Sequence, residues 1–279
     1  MKILIAGLGL MGGAYAYRLR NKGHIIYGYD INKESLLYAK EEGFIDFIAS
    51  DELTELKECN LLIIALYPKL IVPFINKYKD LFTENLYITD LASVKANFLL
   101  DAQKLAKPAR YISHHPMAGR EKSGVKYAKE CNFDSANFLI TTTDANNQED
   151  VEFIKKIGLE LGFSNIVCTD YLNQDKMISY TSALTHAIAV SLVNSTNNSE
   201  IKNFIGDSYR DLTRIASINE ILWTELFFEN KENLLNYIKI FEGQLDRIKE
   251  ALNNNDIENL KQIFISSTKL RNEMNKWKH

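Results

Sequence analysis

Cysteine is scarce in this chain: three in 279 residues, at Cys59, Cys131 and Cys168. An odd number, widely spaced and without a CxxC pair, argues against a disulfide framework and fits a reducing compartment. Proline is absent from most of the chain, since all four (Pro68, Pro73, Pro108, Pro116) lie at or before residue 116. Glycine thins out in the same direction; of 13, only Gly206 and Gly243 follow residue 162. The later part therefore lacks the two residues that helices tolerate least, and long helices are expected there. There is no basic excess either. With 33 Lys and Arg against 36 Asp and Glu, the net charge is −3, and neither nucleic acid nor an anionic membrane is expected as a partner. No apolar run approaches the ~18 residues of a membrane span. The N-terminal apolar stretch is short, broken by glycine and followed by Arg18 and Arg20, unlike a signal peptide. A cytoplasmic location is expected.

What is present falls into two patterns. Up to residue 169, short apolar runs alternate with helical periods. Strands are expected at 2–6, 25–29, 61–66, 86–89, 110–113, 137–141 and 165–167. Helices are expected at 10–22, 33–42, 68–79, 94–106 and 148–161. That alternation means βαβ units and a mainly parallel sheet. From residue 170 to 279 the period is helical. Residues 172–196 read as one long helix. Leu234, Ile238, Phe241, Leu245, Ile248 and Leu252 form a stripe at spacings of four and three, and Ile257, Leu260, Phe264, Met274 and Trp277 suggest a second. Such stripes build a helical core, or in part an interface with a second copy. The fold class is thus α/β, a dinucleotide-binding domain of Rossmann type over 1–169, then an all-helical domain over 170–279.

The dinucleotide reading rests on Gly7-Leu8-Gly9-Leu10-Met11-Gly12, a GxGxxG run directly after the first strand and opening the first helix. The first glycine permits the tight turn, the second lets backbone approach a pyrophosphate, and the third lets helix and strand pack closely. The anion would sit at the helix N-terminus, where free N–H groups and the helix dipole favour negative charge. Asp30 closes the second strand, 18 residues past Gly12. A carboxylate there accepts from ribose hydroxyls and repels a 2′-phosphate, and no Arg stands nearby to reverse that choice, so NAD is the expected cofactor. No metal is expected.

Of five histidines, His24 precedes a strand and His279 is terminal, so both read as solvated. His114 and His115 lie where a strand ends, in a loop tightened by Pro116 and Gly119; Ser93 follows another strand end. Ligands of open α/β sheets bind beyond the carboxyl ends of the strands, and a histidine there suits proton transfer near neutral pH. On the long helix, Ser182 and His186 are spaced i, i+4 and share a face. Arg210 and Arg214 repeat that spacing, and the planar guanidinium suits a carboxylate better than Lys does.

The runs GLGLMGG, DLASVK, HHPMAGREKSG, SALTHAIA and YRDLTRIA, followed by ILW, resemble the prephenate/arogenate dehydrogenase family from residue 5 to residue 223. The resemblance implies a cytosolic, usually dimeric enzyme with a helical dimerisation domain. It implies oxidative decarboxylation of prephenate to 4-hydroxyphenylpyruvate with hydride transfer to NAD, in tyrosine biosynthesis. By position, His115 corresponds to the catalytic histidine and Ser93 to the serine between nicotinamide and substrate hydroxyl. His186, Ser182 and Arg214 fall on substrate-binding positions, and Trp223 and Glu121 on positions that line the pocket. Thr185 replaces a proline common before the helical histidine. If Arg120 faces the pocket, its charge favours prephenate over arogenate, which carries an ammonium. The chain runs on a helical pattern to residue 279, so tyrosine inhibition, if any, is expected at the active site. An arogenate dehydrogenase is the alternative. A β-hydroxyacid dehydrogenase, or a dimer that binds NAD without catalysis, fits the residues less well.

Overall fold

The computed structural model describes residues 1–118 and 122–276. Met1–Asn230 forms one compact unit, and a second begins at Lys231. The first unit opens with β1 (Lys2–Ala6), α1 (Leu10–Arg20), β2 (Ile25–Tyr29), α2 (Lys33–Glu41), β3 (Phe47–Ile48), β4 (Leu61–Ile64), α3 (Pro68–Tyr78), β5 (Tyr87–Asp90), α4 (Leu99–Leu105) and β6 (Arg110–Tyr111). Its six strands lie in the order β3-β2-β1-β4-β5-β6, all parallel. The order reverses between β1 and β4, which opens a crevice beyond their carboxyl ends. Both strands are apolar from Ile3 to Ala6 and from Leu61 to Ile64 because both faces of the sheet are covered there. Ile3, Ile5, Leu61 and Ile63 enter one core, and Leu4, Ala6, Leu62 and Ile64 enter the other.

The structure departs from the sequence reading at four places. The strand expected at 110–113 is two strands in two sheets. Ile112 donates a last backbone bond to Ile88 (3.0 Å), and the chain then enters β7 (Ser113–Pro116). β7 runs antiparallel to β8 (Asn137–Thr142), which pairs in parallel with β9 (Asn165–Asp170) to make a separate three-stranded sheet; α5 (Gln148–Leu161) connects β8 and β9. His114 and His115 therefore sit within a strand, not a loop. The helix expected from residue 94 begins only at Leu99; in the turn before it the Asp175 carboxylate accepts from the N–H groups of Lys95 and Ala96, 2.8 Å from each. His24 is tied to Glu160 at 2.7 Å rather than solvated, since the end of α5 reaches the turn before β2.

After Asp170 every element among the described residues is helical; the first unit continues with α6 (Tyr171–Ile178), a π-turn at Ser179–Ala183, α7 (Leu184–Asn194), α8 (Asp207–Thr213) and α9 (Glu220–Glu229). The expected long helix is thus continuous but carries an inserted π-turn. In the second unit, α10 (Lys231–Asn253) and α11 (Ile257–Lys276) pack together. The α10 stripe is only partly covered. Leu234 is buried, whereas Leu245 and Leu252 are 48% and 59% exposed, and on α11 Phe264, Leu270 and Met274 are about half exposed. Trp277 lies outside the described residues.

Candidate active site

The turn between β1 and α1 has the shape that a pyrophosphate needs. Gly7 adopts φ +94° and its N–H donates to the Tyr29 carbonyl (2.8 Å). A Cβ there would fall 2.4 Å from the Ala65 carbonyl oxygen, and one on Gly12 would fall 1.9 Å from the Gly7 oxygen, so both positions demand glycine. Around Gly9 the opposite holds: a Cβ would meet nothing within 4 Å. Gly9 is the N-cap of α1 and carries no side chain to satisfy the first N–H groups, which leaves Leu10 and Met11 at the head of a helix with room for an anion. Asp30 anchors the cradle. One of its oxygens accepts from the Leu8 N–H (2.6 Å), the other from the Asn32 N–H (2.8 Å). Each oxygen retains a lone pair for a ribose hydroxyl. Asn32 is committed to capping α2 through the N–H groups of Glu34 and Ser35. These residues fit NAD.

A second turn, at the end of β5, holds Ser93. Sequence reasoning singled out the serine and missed the network beneath it. Lys95 is fully buried, and its Nζ donates to Asp90 Oδ1 (2.6 Å) and to the His114 carbonyl (2.9 Å). The Asp90 carboxylate also accepts from the Tyr111 hydroxyl (2.7 Å), the Ser113 hydroxyl and the Ala92 N–H (2.9 Å). Burial pushes the Lys95 ammonium down from its ordinary pKa, and Asp90 opposes that shift. The network joins the Ser93 turn to β7. Its signal was present in DLASVK, an Asp and a Lys five apart after an apolar strand, but the same letters could describe a solvated turn.

The adjacent histidines are unlike. His114 is completely buried between Tyr15 and Phe138, with hydrogen bonds to the Tyr15 hydroxyl (3.0 Å) and the Thr89 hydroxyl (2.6 Å). It is a core residue, kept neutral by desolvation. His115, the next residue along β7, faces the other way and remains partly accessible. Its Nδ1 lies 2.9 Å from the Leu91 carbonyl. A carbonyl only accepts, so Nδ1 carries the proton and Nε2 presents a lone pair. Desolvation holds the ring's pKa at about 4, with the Leu91 bond working against that shift.

The helical segment brings several expected residues together. His186 on α7 stacks on Trp223 of α9, ring centroids 3.6 Å apart. Ser182 meets His186 through its main chain: the Ser182 carbonyl accepts from His186 Nδ1 (2.8 Å) and from the Thr185 hydroxyl (2.7 Å). Arg214 opens a short turn, Arg214–Ala216, that packs against α7. Arg210 instead pairs with Asp207 on the surface of α8. This segment is tied to the Ser93 turn: Gln174 Nε2 donates to the Ser93 carbonyl (2.9 Å), and Asp175 accepts from the Lys95 and Ala96 N–H groups. Glu121 and Arg120 lie outside the described residues.

The family model described as "Prephenate dehydrogenase, nucleotide-binding domain" matches residues 15–167, and "Prephenate dehydrogenase, dimerization domain" matches residues 172–266. The prephenate dehydrogenase of Bacillus subtilis is 32% identical, over 94% of this chain and 73% of its own length. That of Lactococcus lactis is 30% identical, over 98% and 77%. Among solved structures, the Aquifex aeolicus prephenate dehydrogenase in complex with hydroxyphenyl propionate and NAD+ superposes with a TM-score of 0.88 at 28% identity, covering 98% of each chain.

Proposed function

We infer, from the premise that this chain belongs to the prephenate dehydrogenase family, that it oxidatively decarboxylates prephenate to 4-hydroxyphenylpyruvate. Bound NAD supplies the hydride acceptor. The observation that carries the reading is His115, a neutral imidazole whose Nδ1–H is committed to Leu91 and whose Nε2 is left basic, on the strand joined to the Ser93 turn. Nε2 accepts the proton of the ring hydroxyl as hydride departs from the same carbon. The new carbonyl draws electrons through the ring as the ring carboxylate leaves as carbon dioxide. The phenolate oxygen then recovers the proton from His115, so no proton is released overall. Positioned acid–base help of this kind contributes about 10²–10⁴-fold.

Ser93 orients the hydroxyl, and His186, Ser182 and Trp223 line the substrate side. Arg214 holds a substrate carboxylate by a charge-assisted bond. Arg214→Ala is therefore expected to raise the KM for prephenate about 10–100-fold with a smaller change in kcat, the loss of one hydrogen bond to a charged group. Steady-state kinetics with saturating NAD checks this, and an unaltered KM would remove Arg214 from the site. The functional border between the cofactor part and the substrate part lies at residue 169/170, and the active site lies across it. The apolar stripes of α10 and α11, partly exposed in one copy, support a homodimer. The reaction itself is tested by NADH formation with prephenate, arogenate and 3-hydroxy acids. Turnover is expected to be fastest with prephenate, and NAD binding without turnover of any would overturn the reading.

A further inference from the structure

Helix α3 begins without a cap of its own. Its N-cap residue is Tyr67, which makes no side-chain bond to the helix, Pro68 is the first helical residue, and no acidic side chain lies in the first turn. The N–H groups there need acceptors. One is found far along the chain: the Lys69 N–H donates to Glu225 Oε1 at 2.8 Å. Glu225 is a carboxylate buried to 8% exposure, in the middle of α9. Burying a charge is unfavourable unless it is paired. Here the partners are that N–H and the positive end of the α3 dipole.

What the contact joins gives it a role. On one side, the β4–α3 turn forms the wall of the cofactor cradle, since a Cβ on Gly7 would strike the Ala65 carbonyl and one on Gly12 would come to 3.0 Å from the Ala65 side chain. On the other, Glu225 stands two residues past Trp223, whose ring lies against His186. One helix thus carries both an aromatic wall of the substrate side and the cap of a cofactor-side helix. A second tie runs in parallel, because Asn97 Nδ2 donates to the Glu229 carboxylate (2.8 Å), again from α9 to a cofactor-side turn.

We propose that Glu225 is a positioning residue for hydride transfer: by capping α3 from α9 it fixes the Trp223–His186 face relative to the turn that walls the nicotinamide nucleotide. The proposal rests on the dehydrogenase reading above. Reacting atoms must approach to about 3–3.5 Å, and a misplacement of about 1 Å is enough to cost 10²-fold in rate.

The test compares Glu225→Leu, which removes the acceptor, with Glu225→Gln, which keeps an acceptor oxygen without the charge. In the full-length enzyme, Glu225→Leu is expected to lower kcat about 10–100-fold. NAD affinity, read by calorimetric titration, should stay within about threefold. Glu225→Gln is expected to restore most of kcat. If Glu225→Leu does not fold, Glu225→Asp takes its place, since its carboxylate is one methylene too short to reach Lys69. Wild-type kcat in either truncating variant overturns the proposal, as does a loss confined to KM or a Gln variant as slow as the Leu variant. An inactive wild-type enzyme would instead defeat the dehydrogenase reading, so the two failures are distinguishable.

Discussion

Replacing His115 with asparagine is expected to lower kcat about 10²–10⁴-fold while KM for prephenate and NAD changes little. Asparagine can still donate to the Leu91 carbonyl, so the strand and the Ser93 turn should keep their shape. It has no basic nitrogen to receive the hydroxyl proton. The pH dependence of the wild-type enzyme checks the same assignment. A general base works unprotonated, and desolvation holds the His115 pKa at about 4. The acid limb of kcat/KM attributable to this group should therefore fall near pH 4, well below the ordinary histidine value, with no loss between pH 5 and 7 from its titration. The sign for stability follows. The unfolded chain binds a proton to this ring near pH 6.5, whereas the folded chain resists until about 4. The contribution to stability is fully present above pH 6.5 and lost as pH falls from there through 4. Turnover unchanged in the asparagine variant would remove His115 from the chemistry.

Lys95→Met should be as damaging by another route. The variant leaves Asp90 buried without its countercharge, and breaking a fully buried ion pair by removing one partner costs about 3–5 kcal/mol. Against a typical total of about 5–15 kcal/mol, that is a large fraction. Asp90 would keep the Tyr111, Ser113 and Ala92 donors, so the unit should still fold under mild conditions. The Ser93 turn and β7 would lose the ammonium that joins them at the His114 carbonyl. Denaturant unfolding should show a lowered midpoint with an unchanged slope, and kcat should fall even at temperatures where the variant is folded. The double variant Asp90→Asn/Lys95→Met should recover part of the stability, since no unpaired buried charge remains. Unfolding at the wild-type midpoint in the single variant would mean that the pair contributes nothing.

Much of this was legible in the linear chain because it depends on local pattern. The GxGxxG run, the strand before it and Asp30 needed only spacing. The apolar runs of β1 and β4 announced themselves because a sheet covered on both faces favours apolar residues on both. The turn to helices after residue 170 followed from the loss of proline and glycine. Other features stayed hidden because a distant partner makes them. The turn before α4 is held by Asp175, 80 residues from Lys95, and no propensity at Lys95 or Ala96 foretells it. The cap of α3 is Glu225, on the far side of 150 residues. β7 looked like a loop because the pairing that makes it a strand comes from β8.

The histidines show most directly where sequence stops. The amino-acid order alone determined that two imidazoles stand together near a strand end, beside a dinucleotide fold, and that His186 and Arg214 follow on helices. The tertiary structure alone decided which imidazole can act. In a strand, neighbours point to opposite faces, so Tyr15 and Phe138 enclose His114 while Leu91 orients His115. The nitrogen that stays basic is then set by a carbonyl from another strand end. Alternation is written in the chain, but which face is core and which is cleft depends on what packs there, and that is settled only when elements remote in sequence meet.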